Sequence, residues 1–184
     1  SLKLNLGCGE KIIPGYINVD KFGNPDVKHN LEAFPWPWET NTVSEIKLIH
    51  VLEHLGKDVE IYFRIFKEMY RICTHGANVR IVVPHFRHNF FYDDPTHVRV
   101  VTPLGLQLFS KKANKAWIEQ GAANSPLGLY LDIDFELKQT VIKPSQDWFK
   151  LHPGKDIDIK LLQHEANLYN NLIEQYDMLL EVIK

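Results

Sequence analysis

Two glycines one residue apart, Gly7-Cys8-Gly9, end the apolar–polar alternation Leu2-Lys3-Leu4-Asn5-Leu6. Two residues without a Cβ let a ligand approach the backbone closely. A second short apolar run, Tyr16-Ile17-Asn18-Val19, ends in Asp20. A carboxylate at a strand end can accept two hydrogen bonds from a ribose diol. Together these features predict a nucleotide site. A dinucleotide fingerprint requires a third glycine three residues after the second, where this chain has Ile12. The Lys-Ser/Thr pair of a triphosphate loop is also missing. A nucleoside without phosphates therefore suits the turn better than NAD or ATP.

The second cluster is rich in histidine. Nine histidines occur in the chain, and six fall between His50 and His97. The stretch from His85 to Arg99 carries His85, His88 and His97 among Phe86, Phe90, Phe91 and Tyr92. Histidine or aspartate can take a proton from an attacking group, and the aromatics can exclude water or stack on a planar ligand. His97, His88 and Asp94 are the candidate catalytic residues. His85, His88 and His97 with Asp93 or Asp94 are also suitable metal ligands. Their spacing matches no standard zinc pattern, and no metal is expected. Asp94-Pro95-Thr96-His97 also reads as a capped turn. Glu53-His54 opens a helical stretch and reads as first-turn charge and packing.

These residues need elements to position them. The first strand ends at Leu6 and the second at Val19. The short link between them leaves room for one helical turn or none. A short third strand is expected around Val27 to Leu31, and Pro35-Trp36-Pro37-Trp38 is a rigid extended loop. Val43 to His50 reads as the fourth strand. Helical spacing of Val59, Phe63, Phe66, Tyr70 and Ile72 predicts a helix over Leu55 to Cys73, stopped by Gly76. Asn78 to Val83 is a β-branched fifth strand ending at Pro84. Leu104 to Ile118 is expected to be one helix, Leu131 to Ile142 a strand, His164 to Ile173 a short helix after a polar loop, and Asp177 to Lys184 a last strand. Strands alternating with helices imply a mostly parallel sheet covered on both faces. Ligands bind beyond the carboxyl ends of such strands, so the first turn, Asp20, His50 and the His85 loop should share one rim.

Composition narrows the classes. The 184 residues are 45% hydrophobic and 24% charged, which predicts one globular domain over residues 1–184. The formal charge of −2 gives no basic field to hold a phosphate backbone, so nucleic acid is not indicated. Two cysteines, Cys8 and Cys73, exclude a disulfide framework. No apolar run is long enough to span a bilayer. The first residues resemble no signal peptide, and a cytoplasmic protein is expected.

Leu4-Asn5-Leu6-Gly7-Cys8-Gly9 resembles the first motif of class I S-adenosylmethionine-dependent methyltransferases, and Gly15 to Asp20 their second strand and ribose-binding acid. His29-Asn30-Leu31 through Trp36 resembles their loop over the adenine. Val43 to Ile46 and His50-Val51-Leu52-Glu53-His54-Leu55 resemble their fourth motif. Lys67 to Val83, with Gly76, is similar to their helix and fifth strand, and Leu180 to Lys184 to their last strand. The compact bacterial and phage-type subgroup, with its shortened first helix, is the nearest likeness. The resemblance implies a Rossmann-like α/β sheet, mostly parallel, with an antiparallel C-terminal hairpin. It implies S-adenosyl-L-methionine as methyl donor, with S-adenosyl-L-homocysteine as product. By the same resemblance Gly7, Cys8 and Gly9 lie against the methionine part. Lys21, Asn30 and Leu31 flank the adenine, and His50 faces the sulfonium. Asn30 stands where the family often has an acid. The acceptor would enter over the histidine loop; no motif names it. Two other classes remain: a metal-dependent enzyme using the histidines, and a non-catalytic S-adenosylmethionine-binding module.

Overall fold

A computed structural model describes all residues, Ser1–Lys184. Its seven strands are β1 (Leu2–Leu6), β2 (Ile17–Asp20), β3 (Val27–Lys28), β4 (Val43–Ile49), β5 (Cys73–Pro84), β6 (Phe135–Pro144) and β7 (Ile173–Val182). They form one sheet in the order β3-β2-β1-β4-β5-β7-β6. The first five strands run parallel, and β7 alone is reversed, antiparallel to both β5 and β6. The chain order switches between β1 and β4, where open α/β sheets form their ligand crevice. Gly7 leaves β1 and His50 leaves β4 on the two sides of that point.

The central strands are apolar on both faces because both are covered. Leu4, Leu6, Ile46, Leu48, Val79 and Ile81 have no exposed surface. Helix α1 (Val59–Ile72) covers one face with Tyr62, Ile65, Phe66, Met69 and Ile72, one stripe of a 3.6-residue period. Asp58 caps its first turn by accepting from the Glu60 amide at 2.7 Å. Phe66 stacks on Phe109 with centroids 3.9 Å apart. No helix is long and apolar enough to cross a membrane.

Between β1 and β2 there is no helix at all. Two buried asparagines hold this link instead. Asn5 donates to the Lys11 carbonyl and to Asn18 Oδ1, both at 2.9 Å. Asn18 Oδ1 also accepts from the Ile13 amide at 2.8 Å, and its amide nitrogen reaches Asp26 at 2.8 Å. Side chains thus satisfy backbone groups that a crossover helix would have satisfied.

Several expected elements differ: β7 starts at Ile173 rather than Asp177, and β3 ends at Lys28 rather than Leu31. Gly76 does not stop α1; the helix ends at Ile72 and β5 begins at once. Gly76, at φ +76°, lies in a bulge where Cys73 pairs with Val43 but Asn78 pairs with Glu45. The helix expected over Leu104 to Ile118 is two, α3 (Pro103–Gln107) and α4 (Lys111–Glu119). Ser110 breaks it by accepting from the Ala113 amide, which turns Phe109 inward onto α1. After the short helices α2 (Asn89–Tyr92) and α5 (Leu127–Leu131), Asp132 turns the chain at φ +53°, so β6 starts at Phe135 rather than Leu131. The polar loop contains α6 (Gln146–Leu151), and α7 spans Ile159–Leu168 because Asp158 caps it early. Trp148, Leu162, Ala166, Leu172 and Ile173 make a second, smaller core there.

Candidate active site

The rim above β1, β2 and β4 holds a cleft of about 380 Å³, within the range of small-molecule sites. Gly7 forms its floor at φ +67°, and a Cβ there would meet both Val51 methyls at 2.6 Å. Only glycine holds this conformation without strain and keeps β1 close to the segment after β4. Asp20 stands at the β2 end. Its two oxygens accept from the Gly9 amide at 2.9 Å and the Phe22 amide at 2.8 Å. These bonds fix the carboxylate, which retains acceptor capacity on each oxygen.

The opposite wall is the segment from His29 to Glu32. Leu31 is buried, and its carbonyl accepts from the Trp36 indole at 3.0 Å. Arg71 pins the tryptophan loop from below. It donates to the Trp38 carbonyl at 2.9 Å and the Trp36 carbonyl at 3.1 Å, and pairs with Glu68 at 2.8 Å. That guanidinium holds the Glu68 carboxyl below the usual range.

A second cleft of about 350 Å³ adjoins the first, and His50 and His54 line both. Its other walls include Glu53, Phe90, Asp94, His97 and Glu174. His50 takes φ +56°, a left-handed conformation that is costly for a side-chain-bearing residue. A 3₁₀ turn, Leu52–His54, follows and buries Glu53. The Glu53 carbonyl accepts from the Val98 amide at 2.9 Å and the Arg99 amide at 3.1 Å. This ties the His85–Arg99 loop to the end of β4.

Within that loop, His97 Nδ1 lies 2.8 Å from the Phe91 carbonyl. A carbonyl only accepts, so Nδ1 carries the proton and Nε2 keeps its lone pair. His54 and His97 rings lie edge to face, 4.5 Å apart. Thr96 donates to Asp94 at 2.6 Å from its hydroxyl and 2.8 Å from its amide, which holds the Asp94 carboxyl below its ordinary value.

No family model matches this chain, and no curated protein matches its sequence. Solved structures do. An S-adenosylmethionine-dependent methyltransferase from Archaeoglobus fulgidus superposes with a TM-score of 0.61 at 18% identity, over 98% of this chain and 86% of that one. The YcgJ protein of Bacillus subtilis superposes with a TM-score of 0.53 at 15% identity, over 98% of this chain and 91% of that one.

The fold is that of the S-adenosylmethionine-dependent methyltransferases.

In this methyltransferase fold, six residues expected to hold the donor line the first cleft: Gly7, Asp20, Lys21, Asn30, Leu31 and His50. Cys8 and Gly9 do not line it. Cys8 is buried beneath the turn, where burial and the nearby Asp20 raise its thiol pKa, and Gly9 contributes its amide to Asp20. Of the candidate catalytic residues, His97 and Asp94 line the second cleft and His88 does not. His88 is a helix cap. It is buried, its Nδ1 accepts from the Phe90 amide at 3.1 Å, and burial lowers its pKa. His85 Nδ1 similarly accepts from the Arg87 amide at 3.1 Å, and burial pushes its pKa down to about 4. The set His85, His88 and His97 is therefore not assembled as a ligand group.

Sequence reasoning put His29 and Glu32 in the adenine loop and Val51 in the fourth motif without singling them out. It missed Phe22 and Thr96 as lining of the first cleft and Glu53, Glu174 and Gln175 as lining of the second. Residues next to a motif, such as Phe22 after Asp20, could have been found by adjacency. Thr96 reaches the first cleft only because the loop folds back over His54, which it meets at 2.9 Å.

Proposed function

We propose that the protein transfers a methyl group from S-adenosyl-L-methionine to an acceptor seated in the second cleft. The observation that carries this is the placement of two adjoining clefts at the switch point, one with a fixed carboxylate for a ribose and both sharing His50 and His54. The first cleft suits a nucleoside by its own chemistry. Gly7 admits the ligand against the backbone, Asp20 offers lone pairs to a diol, and Leu31 supplies an apolar face to a base.

Bound S-adenosyl-L-methionine would supply an electrophilic methyl carbon on a sulfonium. Displacement at that carbon is in line, so the chain's main task is orientation. Asp20 holds the ribose, and Asn30 and Lys21 flank the adenine edge. His50 separates the donor cleft from the acceptor cleft. His97, with its Nδ1 proton committed to Phe91, presents Nε2 toward the acceptor. Exposed Phe90 supplies apolar surface at the acceptor entrance. Asp94 fixes Thr96 and through it the loop.

The test is calorimetric titration with S-adenosyl-L-homocysteine, followed by transfer of labelled methyl into a cell extract. Tight binding together with labelled product supports the reading. Binding without turnover would leave a donor-binding module, and no binding would remove the reading altogether.

A further inference from the structure

Glu53 is 1% exposed, and neither of its carboxylate oxygens has a hydrogen-bond partner. A buried carboxylate left bare is unfavourable unless something compensates it. The nearest ionisable neighbour is His50, whose Nδ1 lies 3.6 Å from Oε1, too long for a hydrogen bond. Glu53, His54 and His97 each bring one ligand atom to within 4.8 Å of the other two.

We propose that Glu53, His54 and His97 form a binding site for one divalent transition-metal ion, at the junction of the two clefts. Two imidazoles and one carboxylate on one side of an ion, with open positions opposite, are a recurrent set for zinc and for non-haem iron, and imidazole selects this class over magnesium. Metal bonds of roughly 2.0–2.2 Å put the ligands of a tetrahedral or facial set about 3.0–3.5 Å apart. The set therefore closes when its side chains together draw in by up to about 1.5 Å.

The surrounding bonds hold both rings in the required form. His97 Nδ1–H donates to the Phe91 carbonyl at 2.8 Å, which leaves Nε2 as the ligand. Thr96 Oγ1 gives its own proton to Asp94 at 2.6 Å, so at 2.9 Å it accepts from His54 Nδ1. His54 Nε2 is then likewise left unprotonated. A carbonyl behind one histidine, and a hydroxyl backed by a carboxylate behind the other, are the supports that orient metal-bound imidazoles. Asp94 and Thr96 thus act as positioning residues for this ion. The methyl-transfer reading enters only in what completes the coordination, an oxygen of the acceptor from the second cleft.

The experiment uses the full chain purified without nickel and stripped with chelator, then titrated with Co²⁺ or Mn²⁺ alone. One equivalent should bind per chain. Glu53→Gln and His97→Ala should each weaken binding by at least about 100-fold. S-adenosyl-L-homocysteine affinity, measured on the same samples, should change less than about threefold, so failure of the metal site and failure of the donor site read out separately. Melting temperature gives an independent arm. Glu53→Gln removes a bare buried charge and should raise the metal-free melting temperature by about 2–4 °C, while abolishing the rise that metal gives the wild type. Metal binding that survives both substitutions would place the ion on other histidines and overturn the proposal. A lower metal-free melting temperature in Glu53→Gln, with metal binding intact, would make Glu53 a structural partner of His50 and overturn it equally.

Discussion

The clefts at the two sides of the switch point differ in how their polar groups are satisfied. Around the first, the polar side chains beneath the turn and behind the tryptophan loop are engaged, and His29 Nε2 in its wall is the one buried group left without a partner. Asn5 and Asn18 bind the β1–β2 link, Asp20 is anchored by two amides, and Arg71 gathers the carbonyls of the tryptophan loop. Around the second, a buried carboxylate is bare and His50 holds an unfavourable backbone conformation. Satisfied networks give a preorganised binding surface. Strain and bare polar groups persist where function rather than stability fixes the residue. The contrast supports the proposal that the first cleft binds the donor and the second carries the chemistry.

The contrast breaks most readily at His97. His97→Ala should lower the methylation rate by roughly 10²–10⁴-fold, whether Nε2 takes the acceptor's proton or instead holds the proposed ion, while the melting temperature and donor affinity stay near wild type. A large loss of stability with modest loss of rate would make the residue a turn element, and the two clefts would no longer differ in kind.

Acid should act first at His85, which follows Pro84 of the second cleft's wall. His85 is buried with a pKa near 4 against about 6.5 unfolded. The stability that comes from keeping it neutral is fully present above pH 6.5 and is lost as pH falls toward 4. Two to three pKa units correspond to about 3 kcal/mol. Urea unfolding of the wild type and His85→Phe across pH 4–7 checks this. The variant should show the flatter acid limb, and parallel limbs would refute the assignment.

Asn18→Ala probes the first region. It deprives Asn5, the Ile13 amide and Asp26 of partners, at a cost of about 1–3 kcal/mol. Donor affinity should fall with stability, because the same network positions the Gly7 turn. Gly7→Ala adds about 1–2 kcal/mol for the left-handed conformation to the overlap of its methyl with both buried Val51 methyls at 2.6 Å, and should cost at least as much stability as Asn18→Ala. Differential scanning calorimetry would rank the two.

Much of this arrangement was legible in the sequence because it rests on local signals. Alternation ending in Gly7-Cys8-Gly9, the apolar run into Asp20 and the β-branched run into Pro84 fix strands and their carboxyl ends. What escaped is set by tertiary contact. Ser110 breaks a helical period that apolar spacing alone carries through, and it does so because Phe109 gains the stack on Phe66. Gly76 reads as a helix stop, although the left-handed residue it supplies is needed in a bulge of β5. Trp148 sits in a segment polar enough to pass for a loop, yet is fully buried because α7 and β7 close over it. Glu53 looks like ordinary first-turn charge. Only the fold brings His97 and its loop across to it, tied by the Val98 and Arg99 amides.

The central claim, that the first cleft binds the nucleoside of S-adenosyl-L-methionine, is tested most directly by titrating S-adenosyl-L-homocysteine into the wild type and Asp20→Ala. Charge-assisted hydrogen bonds to a ribose diol are worth about 1.5–3 kcal/mol each. The wild type should bind one equivalent per chain, and the variant should bind at least about 100-fold more weakly while remaining folded. Equal affinities in the two proteins, or no binding to the wild type, would contradict it.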